Sequence, residues 1–155
     1  MSHPDAFGQI LAQFGRTIGL DDLALDDEGY AALAIDNKLI VNLERDPNGE
    51  RVLLYCAVGE PAGTPLEAYA MLLEANYLNR GTGGATLGLA PGSDMIVLSL
   101  FVPLASLDLP RFTRTIETFL TAAEQWSARM PHLGSGDPRT EEKSGAAETP
   151  GMIRG

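Results

Sequence analysis

Residues 30–58 read YAALAIDNKLIVNLERDPNGERVLLYCAV and decide the fold class, because they contain three short runs of β-forming residues. The runs are Tyr30–Ile35, Leu39–Arg45 and Arg51–Val58. The segments between them, residues 36–38 and 46–50, carry the Asp, Asn, Pro and Gly residues that favour tight turns. Three short strands joined by such turns predict an antiparallel meander.

Amphipathic helices are predicted on both sides of this meander. Before it, apolar residues recur at helical spacing and predict a first helix from about Pro4 to Ile18, ended by Gly19. After it, Thr64-Pro65-Leu66-Glu67 has the pattern of a capping box, with proline at the first helical position. The second helix is therefore expected to begin there and to run to about Leu78.

Two more strands and a last helix complete the predicted fold. The runs Ala85–Leu89 and Met95–Val102 are joined by a turn sequence containing Pro91 and Gly92, which predicts a hairpin. Asp108 can cap a helix whose apolar spacing continues to Pro131. The order α-β-β-β-α-β-β-α predicts an α+β fold, an antiparallel twisted sheet packed by three helices.

The composition divides the chain at residue 134. Residues 1–133 hold 17 acidic and 8 basic residues and are expected to form one α+β domain. Residues 134–155 are rich in Gly, Pro, Ser, Thr and Glu and carry few large apolar side chains. Such a segment cannot bury enough apolar surface to offset the entropy of ordering, so we expect a disordered C-terminal tail.

Charge and cysteine content narrow the classes of function. The net charge of −10 argues against nucleic acid as a partner and favours solubility, or a basic or weakly structured protein partner. No apolar run is long enough to span a membrane, and the first residues lack the basic segment of a secretory signal. Cys56 is the single cysteine and lies in an apolar run, which predicts a buried hydrophobic residue in a reducing cytoplasm.

Three glycines, Gly81, Gly83 and Gly84, raise the question of a phosphate-binding loop. A dinucleotide loop needs G-x-G-x-x-G between a strand and a following helix, whereas here the third glycine is missing and a helix precedes a strand. No helix N-terminus is available to meet a phosphate. The glycines are therefore interpreted as a connector from the second helix into the hairpin.

Other catalytic and metal-binding patterns are equally weak. The acidic residues 21–28 do not fit a calcium loop, and His3 and His132 lie at opposite ends of the domain. The serines lack a nucleophile-elbow context. We therefore expect no enzyme activity, no metal and no cofactor, although a pair of carboxylates with a catalytic role stays an open alternative.

Excess apolar surface points to protein binding instead. In Met95–Val102 and in Arg51–Val58, apolar residues occupy both faces of the predicted strand. A sheet with one solvated face should alternate apolar and polar residues. Either helices cover both faces, or a second copy or a polypeptide partner buries part of the surface. The second alternative is typical of a binding module.

The chain resembles a known family over about Phe7 to Met130. The resemblance rests on the segments FGQILAQFGRTIGLDDLALDDEGYAALAID, LIVNLER, VLLYCAVGEP, PLEAYAMLLEANYL, GATLGLAPGSDMIVLSLFVPL and LDLPRFTRTIETFLTAAEQW, in this order and spacing. In these features the sequence is similar to the class I chaperones of bacterial type III secretion, the Tir-chaperone family.

The resemblance implies a cytoplasmic, ATP-independent homodimer that binds the N-terminal chaperone-binding segment of a secreted effector and keeps it secretion-competent. The implied dimer interface lies on the second helix and the strand after it: Tyr69, Leu72, Leu73, Asn76, Tyr77, Ala85, Leu87 and Leu89. The implied effector-binding residues lie on the first helix and the first three strands: Phe7, Ile10, Leu11, Phe14, Leu33, Ile35, Leu43 and Leu54. For each of these apolar residues, a place in the core is an equally good interpretation.

A second hypothesis keeps the same fold and changes the partner. A sensory or regulatory domain of this architecture would pair with protein partners that are not secreted. Identification of a bound partner separates the two hypotheses.

Overall fold

The computed structural model describes residues 5–134 and consists of three helices and five strands in the predicted order. The elements are α1 (Ala6–Thr17), β1 (Tyr30–Ile35), β2 (Leu39–Arg45), β3 (Arg51–Gly59), α2 (Pro65–Asn76), β4 (Thr86–Leu89), β5 (Ile96–Pro103) and α3 (Leu109–Arg129). Short 3-10 turns follow α2 and α3. Apart from Gly134, the expected tail lies outside the described residues.

The five strands form one antiparallel sheet in the order β1-β2-β3-β5-β4. The β1–β2 turn places Asp36 and Asn37 in the left-handed region, at φ 49° and 55°. Asn and Asp tolerate this conformation better than other residues with a side chain, which explains why they occupy the turn. β1 and β4 are consequently the two edges of the sheet.

Helices α1 and α3 pack over one face of the sheet and enclose the core. Phe112 of α3 lies between Phe7 and Phe14 of α1, with ring centroids 5.7 and 5.3 Å apart and nearly perpendicular planes. Edge-to-face pairs of this kind add to the stabilisation from burial. Cys56 on β3 is fully buried and its pKa is raised by that burial, as expected for a small core hydrophobe.

The other face of the sheet carries exposed or half-buried side chains. Cross-strand neighbours Leu53 and Phe101 lie on it, and Phe101 is half exposed beneath the guanidinium of Arg51, 3.8 Å from the ring centroid. Ile40 on β2 is more than half exposed on the same face. The apolar residues on both faces of β3 and β5 thus do not all belong to one core.

The glycine stretch connects α2 to β4, as predicted. Gly83 and Gly84 adopt φ 63° and 90°, and a Cβ on Gly81 would lie 3.0 Å from the Ala75 backbone. The indole N–H of Trp126 donates to the carbonyl of Gly81 at 3.0 Å. The glycines therefore serve a tight exit from the helix, and the segment is fixed to α3.

The two predicted helix caps have different outcomes. Asp108 caps α3 by accepting from the N–H of Arg111 at 2.9 Å, as expected. The prediction of a capping box at Thr64 was wrong, because the side chain of Thr64 makes no hydrogen bond to the first turn of α2. Backbone pairing holds the entry to α2 instead. The N–H of Thr64 donates to the carbonyl of Gly134 at 3.0 Å, and that of Gly63 donates to the carbonyl of Leu133 at 3.1 Å.

Candidate protein-interaction surfaces

Five large apolar side chains form an exposed surface on α2 and beside β4. Leu66, Leu73 and Tyr77 are seven and four positions apart and so share one side of the helix. Together with Leu78 and Leu89 they are 48% to 79% exposed. We call these five residues the α2–β4 surface. Exposed apolar clusters of this kind mark interaction sites in soluble proteins.

Asn76 joins α2 to the outer edge of β4. Its amide nitrogen donates to the carbonyl of Leu87, and the N–H of Leu87 donates to its amide oxygen, both at 2.8 Å. Leu87 lies opposite Leu98 of β5, and both of its backbone groups point away from that strand. The amide of Asn76 therefore occupies the position that a neighbouring strand would take.

An unusual backbone conformation lies at the end of the α2–β4 surface. Leu78 has φ 53° and ψ 24°, and Asn79 follows with φ 54°. The left-handed region costs roughly 1–2 kcal/mol for a residue with a Cβ, and asparagine tolerates it better than leucine. Leu78 is nevertheless 65% exposed, so burial within the domain does not offset this cost.

The edge of β1 offers unpaired backbone groups. The N–H of Arg45 on β2 donates to the carbonyl of Gly29 at 2.8 Å, which fixes the alternation of the ladder. By that alternation, the N–H and C=O groups of Ala32 and Ala34 point away from β2. Tyr30 also points outward, but Asp26 pairs with both of its backbone groups. The open part of the edge therefore consists of Ala32 and Ala34, whose methyl side chains are small.

Acidic residues border both ends of β1. Asp26, Asp27 and Glu28 precede the strand, Asp36 follows it, and all four are exposed. Lys38 is the one basic residue in the adjoining turn. The open edge is therefore placed in a negatively charged surrounding, which favours a partner with basic residues.

A cavity of about 170 Å³ opens beside Arg45, the last residue of β2. It is lined by Asp5, Ala6, Phe7, Ile10, Arg45, Leu104 and Leu107. The carboxylate of Asp5 forms an ion pair with Arg45 at its rim. The pKa of Asp5 is lowered, first by the hydrogen bond from the N–H of Gly8 at 2.8 Å and second by that from Arg45.

The predicted effector-binding residues divide into core and partly exposed positions. Six of them are at most 4% exposed and pack in the core: Phe7, Leu11, Phe14, Leu33, Leu43 and Leu54. Ile10 and Ile35 are partly buried and keep some accessible surface. Contact between these eight residues and an effector stays a prediction.

The predicted dimer residues divide in a similar way. Leu73, Tyr77 and Leu89 belong to the α2–β4 surface. Tyr69 is partly buried, Asn76 binds the β4 edge, and three further residues are buried: Leu72, Ala85 and Leu87. The predicted set omitted Leu66 and Leu78. The spacing of Leu66 to Leu73 could have indicated the first, whereas no sequence signal indicates a left-handed leucine.

The described part of the chain offers no site for a metal. Within residues 5–134, no three His, Cys, Asp or Glu side chains come together in a way that could hold an ion. None of the helices in that range has the length and apolar character needed to span a membrane.

Comparison with known proteins identifies the family. Residues 9–127 match the sequence profile described as the Tir chaperone protein (CesT) family. The chain belongs to the CesT family. The family predicted from the sequence is thereby confirmed, and with it the assignment to chaperones rather than to enzymes.

Relatives of known structure agree with this assignment. The transcriptional anti-antiactivator ExsC of Pseudomonas aeruginosa is 30% identical over 125 residues, which is 79% of this chain and 84% of ExsC. The crystal structure of the ExsC–ExsE complex superposes with a TM-score of 0.72 at 28% identity, covering 84% of this chain and 98% of the matched chain. The HopA1–SchA chaperone–effector complex gives 0.64 at 27%, covering 79% and 93%. The CesT-family fold predicted from the sequence is therefore confirmed.

Proposed function

We propose that this CesT-family protein is a cytoplasmic, ATP-independent chaperone that acts as a homodimer. It binds the N-terminal chaperone-binding segment of a type III secreted effector and keeps that segment secretion-competent. The observation that carries the proposal is the open edge of β1 at Ala32 and Ala34. An unpaired strand edge is a template for an extended polypeptide.

An effector segment can add to this edge as a sixth strand. Its backbone would pair with the outward N–H and C=O groups of Ala32 and Ala34, and the two methyl side chains leave its approach free. These hydrogen bonds do not depend on the sequence of the segment. Side-chain pockets must therefore supply specificity.

The cavity beside α1 is the candidate pocket for an apolar side chain of the segment. Phe7, Ile10 and Leu107 supply its apolar wall, and Arg45 connects it to the β1 side through the bond to Gly29. Burial of one apolar side chain there helps to offset the entropy of ordering the segment. Phe7 and Ile10 are the two predicted effector-binding residues that line it.

The charge around β1 suggests the composition of the segment. Asp26, Asp27, Glu28 and Asp36 would face residues that flank the paired stretch. We therefore expect apolar residues in the paired part of the segment and lysine or arginine beside it. Such charges raise the association rate and the selectivity more than the affinity itself.

The α2–β4 surface is the proposed homodimer interface. Its five side chains are already exposed, which supports association without a nucleotide-driven conformational change. The two surfaces lie at opposite edges of the sheet, which lets one copy bind its partner copy and an effector segment together. HopA1 with SchA and ExsE with ExsC are precedents for complexes formed by proteins of this family.

Co-purification followed by a proline substitution tests the proposal. The tagged protein should bring down a secreted protein through the N-terminal region of that protein, and calorimetry with that region gives the affinity. Ala34→Pro removes the outward N–H, and proline is tolerated at edge strands. We expect it to weaken binding at least about tenfold, while Ala34→Ser, which keeps the N–H, binds as the unchanged protein does. A folded Ala34→Pro protein with full affinity would contradict binding at β1.

A second candidate function follows from the name of one relative. ExsC is described as a transcriptional anti-antiactivator, so the same surfaces here would bind a regulatory protein that stays in the cell. The fate of the captured partner distinguishes the two functions. Export of the partner through the secretion system supports the chaperone, whereas a retained partner that controls transcription supports the regulator.

A further inference from the structure

Leu78 combines an unfavourable backbone conformation with an exposed apolar side chain, and neither feature stabilises the single chain. Its backbone is left-handed, at φ 53° and ψ 24°, and its side chain is 65% exposed. Backbone strain persists where surrounding structure imposes it, and it concentrates at functional positions. A leucine in this conformation is therefore expected to have a role that a glycine or an asparagine could not fill.

Fixed points on both sides impose this conformation. Before Leu78, the amide of Asn76 is bound to the backbone of Leu87 at two points. After it, the N–H of Gly81 donates to the carbonyl of Ala75 at 3.0 Å. The carbonyl of Gly81 accepts from the indole N–H of Trp126. The chain between these points must turn sharply away from α2. The backbone of Leu78 is thus constrained, and its side chain projects from the surface beside Tyr77.

The charges around the α2–β4 surface indicate the partner that covers it. The domain is strongly acidic, yet residues 68–73 carry no charge; Glu67 precedes this run, and Glu74 and Arg80 follow it. Neither Glu74 nor Arg80 belongs to the ion pairs found within residues 5–134. In a two-fold interface each contact occurs twice, so Glu74 of each copy can pair with Arg80 of the other. Arg80 therefore gives each copy a positive charge that can meet an acidic residue of the other copy.

We propose that Leu78 is the specificity-determining anchor of self-association and inserts into the α2–β4 surface of a second copy of this chain. The inference rests on the proposed homodimer and adds the residue on which its affinity depends. An apolar residue whose backbone is already constrained loses less entropy on binding than one on a flexible segment. Such residues at the centre of an interface carry a large share of the affinity.

The substitution Leu78→Asn separates this role from a structural one. Asparagine tolerates the left-handed region, so the unfolding midpoint of the monomer should stay the same or rise. The dissociation constant of the dimer, measured by sedimentation equilibrium, should increase at least about tenfold. Asn79→Gly changes the adjacent left-handed residue without removing an apolar group and should leave the dimer unchanged. Ile40→Asn removes a comparably exposed side chain from the other face of the sheet and should also have no effect.

The outcomes distinguish failure of this inference from failure of the homodimer. A dimeric Leu78→Asn protein with the affinity of the unchanged protein, alongside a dimer weakened by Leu73→Asp, would overturn the anchor and leave the homodimer standing. A protein that sediments as a monomer at every concentration would overturn both. Weakened association caused by Leu78→Asn but by neither control supports the anchor.

Discussion

The two edges of the sheet meet the same physical problem in different ways. At β4, the side-chain amide of Asn76 occupies both outward backbone groups of Leu87. At β1, Asp26 pairs with Tyr30, but Ala32 and Ala34 are left without a neighbouring strand. An open edge invites pairing with another chain, so one edge of this protein is protected and the other is available.

The difference shows which groups, side chains or backbone, are available for binding at each edge. Beside the protected edge, the exposed side chains are large and apolar: Leu66, Leu73, Tyr77, Leu78 and Leu89. At the open edge, Ala32 and Ala34 carry only methyl groups, and Ile40 is exposed on the neighbouring strand. Under the proposed function, side chains would serve recognition at β4, where the closed backbone disfavours a continuous sheet between copies. Backbone groups would serve it at β1, where the two methyl groups leave room for an added strand.

The largest loss of stability is expected from a substitution in α1. It tests whether this helix packs in the core that lies between the two edges of the sheet. Phe14 is 4% exposed and packs on Phe112. Phe14→Ala should lower the free energy of unfolding in urea by roughly 3–5 kcal/mol. Ile10→Ala, at a partly exposed position on the same helix, is the matched control and should cost less. If Phe14→Ala lowers the free energy of unfolding no more than the control does, then Phe14 lies at a surface rather than in the core.

An intermediate effect is expected from converting the protected edge into an open one. Asn76→Ala removes both hydrogen bonds to Leu87 and should lower the free energy of unfolding by roughly 1–3 kcal/mol. Amide hydrogen exchange at Leu87 should become faster, and association beyond the dimer, through the opened β4 edge, should appear.

Asn76→Asp provides the control for this change. A carboxylate can accept from the N–H of Leu87 but places its second oxygen against the Leu87 carbonyl oxygen, so it should slow hydrogen exchange at Leu87 relative to alanine without restoring the lost stability. Unchanged hydrogen exchange at Leu87 in the alanine variant would show that the amide does not protect the edge.

The smallest effect concerns the ion pair beside the cavity near β1. The folded-state pKa of Asp5 is lowered by Gly8 and Arg45, so its contribution to stability is present above the unfolded-state pKa of about 3.9. That contribution is lost as the pH falls through the lower, folded-state pKa. Because the Asp5 side chain is 46% exposed, the contribution is below about 1 kcal/mol.

A comparison with Asp5→Asn measures this contribution. The difference in unfolding free energy between the two proteins should be largest near neutral pH and should shrink towards zero under strong acid. A difference that grows as the pH falls would have the wrong sign for a lowered pKa and would exclude the assignment.

Local patterns were sufficient to predict the elements of the fold. The alternation in Leu39–Arg45 and the helical spacing from Phe112 to Trp126 depend on nearest neighbours, and both elements lie where they were expected. The strands were located to within one residue at each end. The hairpin turns were equally readable, because Asp, Asn and Gly are required by the backbone angles of the turns.

The surfaces were less predictable, because they depend on contacts between distant residues. Leu43 and Ile40 are both apolar residues of β2, and only the packing of α1 and α3 decides that the first is buried and the second exposed. The role of Asn76 depends on Leu87, eleven residues further along the chain. The failed cap at Thr64 likewise reflects pairing with Gly134, which no local pattern could indicate.

If a segment binds at β1 as proposed, the geometry of that edge also governs how the segment leaves it. A strand attached to Ala32 and Ala34 is held along one side, so a pull on its end at right angles to β1 breaks one pair of hydrogen bonds at a time. A pull along β1 loads every bond together and meets a much greater force. A segment held in this way can therefore be peeled off one hydrogen-bonded pair at a time. The force needed to remove it can stay low even when its equilibrium affinity is high.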